Sequence, residues 1–120
     1  MTGEQALEQL LDVSEDVVAA VVFEVNGDPI GATVDAEEAR SVAATAGAML
    51  AYADSLRAEP STVRLEAVTA DGSIFVVRKG SRAVVAATDR DPVAGLVYHD
   101  LRAVLENVKR RARAKADAAS

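Results

Sequence analysis

VVAAVVFEVNGDPIGATV, residues 17–34, is the stretch on which the fold turns. Residues 17–25 are β-branched and nearly all apolar, which suits a central strand covered on both faces. Asn26-Gly27-Asp28-Pro29 follows as dense turn chemistry, Asn-Gly being the pair favoured where φ must be positive. Ile30 to Val34 then returns as a short strand. The stretch is a β-hairpin, and the other segments are ordered around it.

Before the hairpin, Thr2 and Gln5 have the spacing of a capping box, in which two helix-end donors are satisfied reciprocally. Ala6, Leu7, Leu10 and Leu11 recur behind them at helical spacing, so a first helix should end near Val13-Ser14. After the hairpin, Asp35 with Glu38 three positions on predicts a capped second helix over about residues 36–57. Its main stripe is Ala39, Val42, Ala43, Ala46, Met49, Leu50, Ala53 and Leu56. A second stripe, Ala44, Gly47, Ala48 and Ala51, consists of small residues alone. Such a seam lets another helix lie close, although alanine is also simply the best helix former.

Glu59-Pro60-Ser61 breaks this helix. Residues 62–70 then alternate, with Val63, Leu65 and Ala67 on one side and Arg64 and Glu66 on the other, the pattern of an edge strand with one covered face. Asp71-Gly72 turns into a strand over 74–78, and Gly80-Ser81 turns into one over 82–88. Asp91 then Pro92 reads as an N-cap followed by proline at the first helical position. Val93, Leu96, Val97, Leu101, Val104, Leu105 and Val108 give that last helix the cleanest amphipathic stripe in the chain. The expected class is α+β in the order α-β-β-α-β-β-β-α. A five-stranded antiparallel sheet would lie between one crossover helix and two terminal helices, with strands 30–34 and 62–70 at its edges. Residues 1–108 form the expected single domain, and 109–120 a basic helical extension, with no internal repeat and no linker.

Composition narrows the function classes. The 120 residues are half apolar, enough for a single core, yet only Phe23, Tyr52, Phe75 and Tyr98 are aromatic, so that core must be aliphatic. The absence of cysteine excludes disulfides, thiolate metal sites and thiol nucleophiles. A net charge of −6 argues against nucleic-acid binding, which needs Lys and Arg gathered on one face. Residues 109–120 carry Lys109, Arg110, Arg111, Arg113 and Lys115 against Asp117, a local +4 that leaves −10 on residues 1–108. Those cations either complement the helix macrodipole or dock on an acidic partner or anionic lipid surface. No apolar run approaches the ~20 residues of a membrane span, and the polar N-terminus does not read as a signal peptide. The expected location is the cytoplasm.

Catalytic and cofactor chemistry finds no foothold. His99 is the only histidine and falls beside the polar face of the last helix, with Asp100 and Arg102, so no two-imidazole metal site can be built. The acid pairs Glu15-Asp16, Glu37-Glu38 and Asp89/Asp91 stand at element ends, where carboxylates favour helix N-termini or loop solvation. There is no G-x-S-x-G elbow. Lys79-Gly80-Ser81 lacks the upstream glycine of a phosphate loop and closes a strand, whereas that loop's lysine opens a helix. The expectation is a protein without catalytic residues, cofactor or metal.

The order and spacing of several motifs resemble the Roadblock (dynein light chain) family: L-E-Q-L-L at 7–11, V-V-A-A-V-V-F-E-V-N-G-D-P-I at 17–30, the small-residue second helix, V-R-L-E-A-V at 63–68 with D-G at 71–72, and G-L-V-Y-H-D-L-R at 95–102. The resemblance spans about residues 4–108. It implies a profilin-like sandwich that dimerises, with itself or a paralogue, through the second helix and third strand. It also implies a bacterial regulator or scaffold that binds a small Ras-like GTPase. Carried onto this chain, the dimer contacts fall on Ala44, Gly47, Ala48, Ala51, Thr62, Arg64, Glu66 and Val68. A partner surface falls on Glu37, Arg40, Ser41, Thr45, Tyr52 and Ser55. The basic tail is not a general feature of the family. The alternative is a small-molecule sensor domain of PAS or GAF type, or a scaffold for a sensor kinase, which shares the sheet-plus-helices layout.

Overall fold

The computed structural model describes residues 2–25, 28–56 and 64–119, with side chains as far as Val108. The elements are α1 (Gly3–Val13), β1 (Val17–Glu24), β2 (Pro29–Ala32), α2 (Ala36–Ser55), β3 (Arg64–Val68), β4 (Ser73–Lys79), β5 (Arg82–Thr88) and α3 (Ala94–Ala119). This is the expected order. All strand pairs are antiparallel, in the sheet order β2-β1-β5-β4-β3, so the two strands expected at the edges are there. The Asn26-Gly27 turn and the Glu59-Pro60-Ser61 break lie outside the described residues.

Local chemistry sets the first two helix starts. Thr2 Oγ1 accepts from the Gln5 amide at 3.1 Å while Gln5 Oε1 accepts from the Thr2 amide at 2.9 Å, a complete capping box. Asp35 Oδ1 accepts from the Glu38 amide at 2.9 Å and caps α2. The third start differs from the expectation. Asp91 is not the cap: its φ is 55°, and α3 begins at Ala94. The Val93 amide donates instead to Asp16 Oδ2 at 3.0 Å, so a carboxylate from the approach to β1 satisfies the donor just ahead of the helix.

The sheet separates two cores. On one face Leu7 and Leu10 of α1 and Val97, Leu101 and Leu105 of α3 pack on Val22, Phe75 and Val84. On the other, Ala39, Ala43, Ala46 and Leu50 of α2 pack on Val21, Phe23, Val76 and Val85. The crossover helix thus covers one face and the terminal helices the other. Some expected stripe members are not in these cores: Leu11, Leu56, Val93 and Leu96 are exposed. Leu11 and Leu96 each sit one residue from a buried core neighbour, Leu10 and Val97, so the helical turn carries them off the packed face, while Leu56 and Val93 lie just outside α2 and α3. Val18 is exposed because the β1–β5 register shifts between Val17 and Ala19.

Two glycines position α1. A Cβ on Gly31 would lie 2.6 Å from the Gly3 carbonyl carbon, and one on Gly3 would lie 2.9 Å from the Ile30 carbonyl oxygen. The helix therefore crosses edge strand β2 backbone to backbone.

Candidate functional site

The second helix packs mainly on β1, β2 and β5. An ion pair between Arg78 Nη2 and Asp54 Oδ1 at 2.9 Å, largely shielded from water, ties its C-terminal end to β4. This oblique course leaves part of the sheet uncovered. An open groove of about 430 Å³ lies there, walled by Val42, Thr45 and Met49 of α2 and floored by Ala67, Ile74 and Val85. The wall continues along the helix: Val42, Thr45, Met49, Tyr52 and Leu56 recur at three- and four-residue spacing on one flank. Tyr52 is 69% and Leu56 70% exposed, so an apolar flank stands open beside the groove.

The candidate residues on α2 divide between its flanks. Ser41 and Thr45 line the groove. Tyr52 follows them by helical spacing, and Glu37 and Ser55 are exposed on the outer surface. Arg40 lies instead beside a second groove of about 350 Å³ along β2, with Glu4 and Asp28. Ala44, Ala48 and Ala51 are exposed, and Gly47 is half-buried with its α-carbon turned toward the Val25 carbonyl. Gly47 stands two residues from Thr45, and residues so spaced face opposite ways on a helix. Gly47 therefore faces away from the groove, whereas Ala44, Ala48 and Ala51 lie on the exposed outer surface of α2, Ala48 one turn on from Thr45.

At the far edge of the sheet, Arg64, Glu66 and Val68 are exposed on the face shared with α1 and α3, while Leu65 and Ala67 are half-buried on the α2 face. Thr62 lies outside the described residues. The Arg64 guanidinium carbon sits 5.1 Å from the Tyr98 ring centroid, and Tyr98 meets Phe75 edge-on at 5.1 Å. Burial, then the Glu66 charge, push the Tyr98 hydroxyl above its ordinary range, and Arg64 opposes them. Tyr98 was not among the sequence candidates, because nothing in its local pattern tells a stripe-flanking tyrosine from a core one. His99 is exposed. Among the described residues no group of three or more His, Asp or Glu is placed to hold a metal, and no helix is long and apolar enough to cross a membrane.

No protein-family model and no curated protein matches the sequence. Solved structures do match. A Roadblock/LC7 domain from Streptomyces avermitilis superposes with a TM-score of 0.82 at 14% identity, covering 92% of this chain and 97% of that one. Myxococcus xanthus MglB gives 0.70 at 17% identity, with 92% and 84% covered. An MglB structure described as a tetrameric arrangement gives 0.69 at 17% identity, with 88% and 84% covered. With five antiparallel strands between one helix and two, in the same order and over nearly the whole length, this chain has the Roadblock/LC7 fold.

Proposed function

We propose that this protein is a non-enzymatic dimeric adaptor that binds a small Ras-like GTPase and adjusts or scaffolds its nucleotide cycle. The observation that carries this reading is one juxtaposition: edge strand β3, the apolar groove and the exposed Tyr52–Leu56 flank of α2 all lie on the same side of the molecule. An open edge with good β patterning templates pairing with another strand, and an exposed apolar flank marks an interaction surface. A second copy joined at β3 would extend the sheet and bring its own α2 toward that flank, giving a two-fold platform. The fold shared with MglB supports a GTPase as the partner. Activity toward it would come from holding the GTPase's own residues. Arg40, the one cation among the candidate partner residues, lies off this platform, beside the groove along β2.

Light scattering should give a dimer at micromolar concentration, and immobilised protein should retain a GTPase in one nucleotide state over the other. Monomers throughout, or no nucleotide preference, would remove the corresponding half of the proposal. The groove also favours a second reading as a small-molecule sensor, since its volume falls within the ~300–1,000 Å³ of ligand pockets. A saturable thermal shift with a metabolite, kept when the protein is dimeric, would support the sensor instead.

A further inference from the structure

Strand β3 fixes how a second copy can pair with it, an inference that rests on the dimer proposed above. Arg64, Glu66 and Val68 stand opposite Val77, Phe75 and Ser73 of β4, on the α1/α3 face. Leu65 and Ala67 stand opposite Val76 and Ile74, on the α2 face. The faces differ in kind: one exposed and charged, the other apolar and half-buried.

A two-fold axis perpendicular to the sheet keeps each face on its own side. Side chains that meet across the new seam must therefore come from the same face, which allows only registers that set one residue opposite its own counterpart. Centred on Arg64, the pairing would oppose two arginines. Centred on Glu66, it would oppose two glutamates. Centred on Ala67, it would set Glu66 against Val68 and leave both charges without a partner. Centred on Leu65, it sets Arg64 against Glu66 of the partner subunit, and symmetry repeats the pair. Like charges directly opposed destabilise a strand pair and opposite charges favour it.

We infer that a second copy joins β3 in the register centred on Leu65, with two reciprocal Arg64–Glu66 pairs on one face and a Leu65–Leu65 contact on the other. Arg64 and Glu66 are also neighbours along their own strand, so four charges surround the axis with alternating sign. Tyr98 holds the Arg64 guanidinium on the face where the pair forms.

The sequence has no cysteine, so one engineered thiol reports the register in the full-length protein. Opposed residues have Cα atoms about 4.5–5.5 Å apart, within disulfide reach. Leu65→Cys should give a covalent dimer under mild oxidation, whereas Arg64→Cys and Glu66→Cys should give little. Arg64→Glu should weaken dimerisation about tenfold or more, because both pairs become repulsive. Mixing Arg64→Glu with Glu66→Arg should produce a heterodimer tighter than either parent, and the double variant R64E/E66R should dimerise again. Circular dichroism checks that each variant is folded. Cross-linking through Glu66→Cys in place of Leu65→Cys, or an Arg64→Glu dimer as tight as the wild type, overturns the register while leaving the dimer standing. A wild-type protein that stays monomeric overturns both.

Discussion

A single methyl group can separate α1 from the sheet. A Cβ on Gly31 would press within 2.6 Å of the Gly3 carbonyl carbon and 2.8 Å of the Glu4 amide nitrogen, all backbone atoms with no rotamer to change. Gly31→Ala should therefore destabilise the protein by about 1–3 kcal/mol, read from the urea midpoint. Gly95→Ala is the matched control: a Cβ there meets nothing within 4 Å, and removing a helical glycine should gain up to about 1 kcal/mol. Tyr98 makes a second residue-scale case. Its folded pKa lies above its ordinary 10.0, through burial first and the Glu66 charge second, so the folded state holds that proton more tightly. The resulting stabilisation is complete below pH 10.0 and is lost as pH rises through the raised value. Tyr98→Phe should flatten the alkaline fall in melting temperature and remove one late-titrating tyrosinate from the absorbance curve.

The start of α3 shows how an element can depend on a distant residue. The Val93 amide donates to Asp16 Oδ2, and the Asp89 amide donates to the Asp16 carbonyl at 3.1 Å, so one residue ahead of β1 organises the loop that launches the helix. Asp16→Ala should cost about 0.5–2 kcal/mol in denaturant unfolding, the range of a lost helix cap. The Asp91-Pro92 signature is local and points to the right neighbourhood, but the left-handed Asp91 backbone and the reach of Asp16 move the start to Ala94. The same division runs through the rest of the chain. The Thr2–Gln5 box, the Asp35 cap and the alternation of Arg64, Leu65, Glu66 and Ala67 were legible because neighbours along the chain produce them. The Gly3–Gly31 crossing and the oblique course of α2 were not, since both depend on which segments meet after folding. For the candidate site this decides the outcome: periodicity found the Ala44–Ala51 stripe, but only the packed helix reveals that Ser41, Thr45 and Met49 wall the groove.

Across the whole molecule, charge follows the fold. Ten acidic residues and no Lys or Arg precede Arg40, whereas residues 40–108 hold eight of each sign. The net negative charge of the domain therefore belongs to α1, β1, β2 and the first turn of α2, and β2 is the edge farthest from β3. A dimer joined at β3 would bring the charge-balanced edges together and hold the two acidic ends apart, limiting self-repulsion. The +4 of residues 109–120 lies beyond Val108, the last residue of the α3 core stripe. Among the described residues, Arg82 Nη1 donates to the Val108 carbonyl at 3.2 Å, Arg82 Nε pairs with Glu24 at 3.0 Å, and Lys79 pairs with Glu106, and these contacts help anchor that end of the core. Because these groups all precede residue 109, ending the chain after Val108 should leave the fold standing, with a melting temperature within about 3 °C of the full-length value. The net charge would fall from −6 to −10. Retention on anionic vesicles at low salt should drop with it if the cations contact a lipid surface, whereas equal retention would assign them to solvation and the helix dipole. A much larger loss of melting temperature would instead make the basic segment part of the domain, because a solvated extension has no buried contacts to lose.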